Sequence, residues 1–256
     1  MSLSQSSAPR QATQPSLGRR LRAFAHHGSK ILRYRYPDYT FDDLAACQDA
    51  LDGPAFQNVA RRMWADPTGE RLMREQPRIN LEAVDWRALS MLPIDTLGYS
   101  LWHHFYDNDI LGYVELGEPI VRWDEDTEYA KWRYRETHDI RHVLLGLGIE
   151  GHEEVVLQTF QCAQQFQILS AGIAIVGGVK HAIIDRAFLP IVTRMPRAWR
   201  TGKRARFLSL VYFEDLWEMN LHELRETLGI TPLGDRYPVA ERHPDAPWDP
   251  GQHKKN

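Results

Sequence analysis

One stretch of the chain, Tyr134 to Glu154 (YRETHDIRHVLLGLGIEGHEE), has residues whose types and spacing could bind a cation. On an α-helix each residue turns by about 100°, so His138, His142 and Asp139 fall near ~0°, ~40° and ~100° and share one face. His138 and His142 stand one turn apart, the spacing at which two imidazoles can hold one metal. Asp139, at the side of that arc, can be a ligand or can accept an imidazole N–H. Gly146, Gly148 and Gly151 then break the helix. A turn centred near Gly148 places His142 and Glu154 at equal distances before and after it. In an antiparallel hairpin those two side chains face each other. Two imidazoles and two carboxylates suit Zn²⁺, Fe²⁺ or Mn²⁺. A lone His-x-x-x-His pair also occurs on helices that bind nothing; Asp139 and the hairpin-matched Glu154 are what set this one apart. Glu136, Glu150, His152 and Glu153 lie close by and read as solvated turn residues.

The elements that must position these residues are all helical. Leu21, Phe24, Ile31 and Leu32 predict an amphipathic helix that begins near Leu17 and ends before Pro37. Asp42 to Leu51 and Ala55 to Trp64 follow, separated by Asp52-Gly53-Pro54. Asp66-Pro67-Thr68-Gly69 leads into Glu70 to Gln76, and Asp95-Thr96 caps a helix from Leu97 to Phe105. Asn108 to Asp124 reads as an irregular loop. Glu128 to Leu145, free of Gly and Pro, reads as one uninterrupted helix. Glu153 to Ile168, Ala171 to Phe188 and Phe207 to Leu228 complete the set, the last closed by Gly229. No strand-like alternation occurs. The fold class is all-α, a multi-helix bundle with a metal-bearing helical hairpin. Residues 21–230 form a single helical domain between an N-terminal tail, 1–20, and a Pro-rich C-terminal tail, 231–256.

Composition removes several functions. Among 256 residues 43% are hydrophobic and 25% charged, ordinary for a globular protein. The net charge of −3 argues against nucleic acid as a partner. Cys47 and Cys162 supply neither a disulfide framework nor a thiolate metal site. No apolar run is long enough to span a bilayer. The first 37 residues carry Arg and Lys but no Asp or Glu, which fits a mitochondrial transit peptide and a bacterial tail equally well.

Two further stretches have the composition of lipid contacts. Ile168 to Val179 (ILSAGIAIVGGV) is uncharged and rich in small residues. It is either a tightly packed core helix or a smooth wall for a hydrocarbon chain, in which case Ala171, Gly172, Ala174 and Gly178 line a groove running from His138 and His142. Arg186 to Phe213 has six Arg, one Lys and no acid, with Trp199, Phe207 and Leu208 among them. It is either a solvated loop or a surface for anionic headgroups.

His138-Asp139-x-x-His142, followed by eleven residues and Glu154, resembles the signature of the coenzyme Q biosynthesis protein 4 family. The resemblance extends to Ala65-Asp66-Pro67-Thr68-Gly69, Gln76-Pro77-Arg78-Ile79-Asn80, Leu92-Pro93 with Thr96-Leu97-Gly98, and Arg133-Tyr134-Arg135-Glu136. Tyr212-Phe213-Glu214 with Trp217, and Leu224-Arg225-Glu226, continue it, so that it covers roughly Ala55 to Ile230. Trp102 to Asp124 departs from the pattern, as do the two ends of the chain.

The resemblance implies an all-helical ubiquinone-biosynthesis protein, peripheral on the inner membrane. It would sit on the cytoplasmic face in a bacterium, or on the matrix face in a mitochondrion. It implies His138, Asp139, His142 and Glu154 as metal ligands and catalytic residues, with zinc the usual assignment. The implied activity is that of a carbon–carbon lyase: metal-dependent, oxidation-coupled removal of the C1 carboxyl from a polyprenylated 4-hydroxybenzoate-type precursor. Four protein ligands would fill a tetrahedral zinc, so catalysis needs an expanded shell or Asp139 withdrawn from the ion. Other ubiquinone-biosynthesis enzymes would be its partners, with a homo-oligomer left open. A non-catalytic lipid-binding scaffold, or a divergent homologue acting on another isoprenoid lipid, stands as the alternative.

Overall fold

The computed structural model describes residues 15–33, 41–108, 121–244 and 246. Two helices begin the chain, α1 (Leu17–Arg33) and α2 (Phe41–Leu51), packed on each other. Next come α3 (Gly53–Trp64) and α4 (Pro67–Glu75). Asp66 starts α4 by accepting the backbone N–H groups of Thr68 and Gly69 at 2.9 and 3.0 Å, with Pro67 in the first turn where no N–H is needed. A short helix α5 (Trp86–Met91), which the residue pattern does not suggest, precedes α6 (Leu97–Asp107). The Thr96 hydroxyl caps α6 at Tyr99 N–H, as expected.

The helix expected from Glu128 to Leu145 is two helices, α7 (Glu125–Glu136) and α8 (His138–Leu145), parted at Thr137. Neither Gly nor Pro makes the break. Thr137 donates its hydroxyl to Arg133 O at 2.7 Å, and the buried Arg141 guanidinium donates to Tyr134 O and Thr137 Oγ1, both at 2.9 Å. These bonds satisfy carbonyls that a broken ladder would leave exposed.

The second arm of the hairpin is α9 (Gly151–Gln164), after which α10 (Ile168–Gly172) runs through a π-helical turn (Ile173–Gly177) into α11 (Gly178–Ile184). The stretch Ala171 to Phe188 is therefore not one regular helix, and Glu153 to Ile168 ends at Gln164. The arginine-rich stretch is largely α12 (Phe188–Arg204), lying along α9, rather than a loop. Phe207 to Leu228, expected as one helix, is two 3₁₀ turns (Leu208–Leu210 and Phe213–Asp215) and then α13 (Leu221–Leu228), closed by Gly229 at φ +67°. The buried Arg133 accounts for the irregular part: it donates to Val211 O at 3.0 Å and to Glu214 Oε2 at 2.9 Å, pairing backbone that a helix would have paired internally.

Among the described residues there is no strand, only an isolated bridge between Thr96 and Asn220. The main core gathers Leu97, Leu101 and Trp102 of α6, Ile140, Val143 and Leu144 of α8, Val156 and Phe160 of α9, and Leu221 and Leu224 of α13. Beyond α13 the chain is extended and packed down. Leu233 and Tyr237 are buried, and Leu233 and Gly234 N–H both donate to Leu145 O, at 2.8 and 3.1 Å. Gly146 at φ +70° and Gly234 meet backbone to backbone, leaving no room for a Cβ on either. The loop predicted from Asn108 to Asp124 lies mostly outside the described residues, as does most of the N-terminal tail.

Candidate metal centre

Breaking the helix at Thr137 puts His138 and Asp139 in the first turn of α8 and His142 one turn later. Glu154 stands in the first turn of α9, across the glycine turn. The hairpin brings them together as the spacing predicts. His142 Nε2 lies 3.2 Å from His138 Nε2 and 3.2 Å from Glu154 Oε2, and His138 Nε2 lies 3.5 Å from the same oxygen. Asp139 joins this group: one ligand atom from each of His138, Asp139 and His142 lies within 4.8 Å of the others.

Around a tetrahedral ion with bonds of about 2.0–2.1 Å, neighbouring donor atoms stand about 3.4 Å apart. The triangle of His138 Nε2, His142 Nε2 and Glu154 Oε2 has nearly that edge on every side. The spacing of these three atoms therefore fits a small divalent cation, and Asp139, whose carboxylate lies within 4.8 Å of the two histidine ligand atoms, would be the fourth donor. His142 is buried, whereas His138, Asp139 and Glu154 each keep 22–30% of the side chain open to solvent. The cluster is thus reachable from one side.

Each donor residue but one is held from behind. Gln158 donates to Glu154 Oε1 at 2.6 Å. Gln161 meets His138 Nδ1 at 3.2 Å, and its other amide atom meets the buried Tyr134 hydroxyl. With Gln161 donating to Nδ1, the His138 proton sits on Nε2 and faces Glu154. A half-turn of the amide lets it accept Nδ1–H instead and frees the Nε2 lone pair for a cation. The Tyr134 hydroxyl serves either orientation, because it can donate or accept. His104 Nε2 lies 3.2 Å from Asp139 Oδ1, and the His104 ring stacks on His142 at 5.3 Å between centroids. His142 Nδ1 is buried without a partner, so that ring is oriented by its Nε2 contacts with Glu154 and His138 and by packing against His104.

The electrostatics follow the same geometry. Burial alone would disfavour a charged His138, but the Glu154 and Asp139 carboxylates outweigh it and hold His138 above the usual histidine range. Burial would likewise raise Glu154; the two imidazoles win and hold it well below the usual carboxylate range. Asp139 is lowered against its burial by His104 and then by the other two histidines. Burial pushes His104 down, so it is a neutral ring in a pocket of charges.

Sequence reasoning missed His104, Gln158, Gln161 and Tyr237. The two glutamines had a signal, lying four and seven residues after Glu154 on the same face of α9. His104 and Tyr237 had none, because they arrive from α6 and from the C-terminal segment. The small residues expected to line a groove divide: Ala174 and Gly178 are buried, Gly178 facing Val155 of α9, while Gly172 has open space around it.

Fold and cluster together define an all-helical protein with a paired-imidazole, paired-carboxylate site on a helical hairpin. Residues 16–234 match the family described as coenzyme Q (ubiquinone) biosynthesis protein Coq4, and the chain belongs to that family. It is 33% identical over 216 residues to the mitochondrial COQ4 homologs of ubiquinone biosynthesis from Drosophila sechellia and Drosophila melanogaster, covering 83% of this chain and 78% of theirs. A crystal structure from Nostoc punctiforme PCC 73102, provisionally described as a ubiquinone biosynthesis protein, has the same fold. Its TM-score is 0.65 at 24% identity, over 85% of this chain and 99% of that one.

Proposed function

We propose that this ubiquinone-biosynthesis protein binds one divalent cation, zinc first among Zn²⁺, Fe²⁺ and Mn²⁺, at His138, Asp139, His142 and Glu154. Its activity is removal of the C1 carboxyl group of a polyprenylated 4-hydroxybenzoate-type precursor. The supporting observation is the near-equilateral triangle of lone-pair atoms, open on one side and braced from behind. A bound divalent cation would supply Lewis acidity to the oxygens of a substrate.

In the reaction the bond between C1 and the carboxyl carbon breaks, its electron pair stays with the ring, and carbon dioxide leaves. In the oxidation-coupled form C1 ends as a phenol carbon. Water supplies the hydroxyl oxygen, and dioxygen takes up two electrons and two protons as hydrogen peroxide. The residues' own part is positional and protonic. His142 is fixed in part by packing, Glu154 by Gln158 and His138 by Gln161. His138 Nε2 and Glu154 Oε2 are a pair between which a proton can reside.

The prenyl chain requires access from a membrane, and no described helix is long and apolar enough to cross one. From the end of α9 to α12 the surface is unusually apolar: Phe166, Ile168, Ile175, Val176, Val179, Ile183, Phe188 and Leu189 are all more than half exposed. The arginines of α12 lie beside them. Apolar residues with cations alongside suit an anionic bilayer surface, each cation contributing about 1 kcal/mol there. The location is then peripheral on the inner membrane, and the relatives named mitochondrial favour the matrix face. The same face supports a second reading, a lipid-binding scaffold for other enzymes of the pathway.

The deciding experiment is quinone-intermediate profiling in cells lacking their own family member, complemented with this chain or its His142→Ala variant. The enzyme reading requires the variant, present at normal abundance, to accumulate the carboxylated precursor. Normal quinone in the variant would leave the scaffold reading standing.

A further inference from the structure

All four residues of the cluster lie on the hairpin, and Glu154 and His138 are braced from within it by Gln158 and Gln161 of α9, but Asp139 is tied to distant parts of the chain. We infer that His104 and Tyr237 are positioning residues, forming one hydrogen-bonded line from the C-terminal segment that holds Asp139 with one oxygen turned toward the His138, His142 and Glu154 triangle. This rests on reading that cluster as a cation site.

The line begins at Asp139, whose ionised carboxylate can only accept. The proton between Asp139 Oδ1 and His104 Nε2, 3.2 Å apart, therefore belongs to the imidazole. A neutral ring protonated on Nε2 has a lone pair on Nδ1. That atom lies 2.9 Å from the Tyr237 hydroxyl, which must then be the donor. With the His104 ring neutral, the three groups run in one direction: Tyr237 donates to His104, and His104 donates to Asp139.

The frame around the line is rigid. His104 and Tyr237 are both buried. Asn108 donates to His104 O at 2.7 Å, and its side chain also meets the Tyr237 hydroxyl. Arg225 clamps Tyr237 by donating to its carbonyl at 2.9 Å, while donating to Leu144 O and Val143 O of α8 at 2.8 and 2.9 Å. The C-terminal segment is thus fastened to the helix that carries Asp139. The stacking of His104 on His142 gives the same ring a second task, helping to orient the ring of the cluster whose Nδ1 has no partner. Residues behind metal ligands act in this way elsewhere, and their loss typically weakens metal binding about 10–100-fold.

The test uses the full-length purified chain and Co²⁺ as a spectroscopic probe. His104→Phe keeps an aromatic ring against His142 but removes the donor to Asp139; Tyr237→Phe removes one hydroxyl. Cobalt affinity is expected to fall about 10–100-fold in His104→Phe, less in Tyr237→Phe, with an altered visible absorption envelope in both. His104→Gln, which restores an N–H donor near the Nε2 position, recovers part of the loss. Ring-¹⁵N NMR of the metal-free chain reads the line directly and should find His104 neutral with its proton on Nε2. That measurement and the thermal melting of the variants separate positioning from folding. Wild-type cobalt affinity and spectrum in His104→Phe, or a His104 proton on Nδ1, would overturn the inference while leaving the cation site intact. Absence of cobalt binding in the unaltered chain, or its persistence in His142→Ala, would instead remove the cation reading and this inference with it.

Discussion

Asp52, at the corner between α2 and α3, is a buried carboxylate that links pH to the stability of the site's surroundings. It starts α10 by accepting Ile168 N–H at 2.6 Å and Leu169 N–H at 3.3 Å. Two residues further on, Ser170 touches the Tyr134 hydroxyl that meets Gln161 behind His138. Burial raises the Asp52 pKa from 3.8 to about 6, against the lowering pull of the two N–H groups and Arg20. The folded state therefore binds the proton more tightly than the unfolded state. Stability from this residue is fully present below pH 3.8 and is lost as pH rises through about 6. The difference of about two units corresponds to roughly 3 kcal/mol. In Asp52→Asn the amide oxygen still accepts from the α10 backbone but does not titrate. Urea unfolding of both proteins between pH 4 and pH 8 should show the variant gaining on the wild type by about 3 kcal/mol, with the change centred on pH 4–6. A difference that stays flat would refute the burial argument. A wild type that gains on the variant as pH rises would show that the N–H groups outweigh burial.

Zn²⁺ at about 100 times its dissociation constant should stabilise the fold by about 2.7 kcal/mol, roughly 5–10 °C in Tm for a chain of this size, and His142→Ala should lose the shift. Calorimetry with and without chelator reads both. Gly146→Ala must hold a left-handed backbone against Gly234, and should cost about 2 kcal/mol or more in urea unfolding. Replacing the exposed Ile183 and Phe188 by Glu should leave unfolding within about 0.5 kcal/mol per substitution while abolishing co-sedimentation with anionic vesicles. Undiminished binding would mean that this face does not meet lipid.

The parts of the site legible in the sequence are those set by local spacing. His138, Asp139 and His142 share a helical face whatever surrounds them, and the glycine turn is short enough to fix Glu154 opposite His142. The helix break at Thr137 was not legible, because its cause is the guanidinium of Arg141 folding back onto carbonyls, not a residue that disfavours helix. Helix α12 was hidden by Pro190 and Pro196: the first sits in the opening turn, where proline is tolerated, and the second lies on the exposed side. The run from Phe207 to Asn220 has helical composition, yet Arg133 takes its backbone into another pattern. His104 and Tyr237 depend on contacts across 35 and 133 positions of chain, which no periodicity encodes.

One helix joins the two halves of the functional argument. On one side of α9, Glu154, Gln158 and Gln161 carry or brace the proposed cation site. On the other, Val155 belongs to a small apolar cluster with Ala187 and Ile191, against which Ala182 and Met195 pack. Gly178 lies against the same valine, and Gly202 approaches Phe160 and Ala163 so closely that a Cβ would collide with them. The exposed apolar face of α11 and α12 is therefore mounted directly on the helix that supplies Glu154. At the start of α9, Glu153 accepts from Arg194 of α12 at 3.3 Å and from Gly148 N–H of the hairpin turn at 2.9 Å, so the turn that sets Glu154 opposite His142 is also tied to α12. A hydrophobic substrate drawn from a bilayer at that face would have only the thickness of one helix between its tail and the imidazoles. A long-chain precursor needs that arrangement: its head group must reach a polar cluster while its tail remains with lipid.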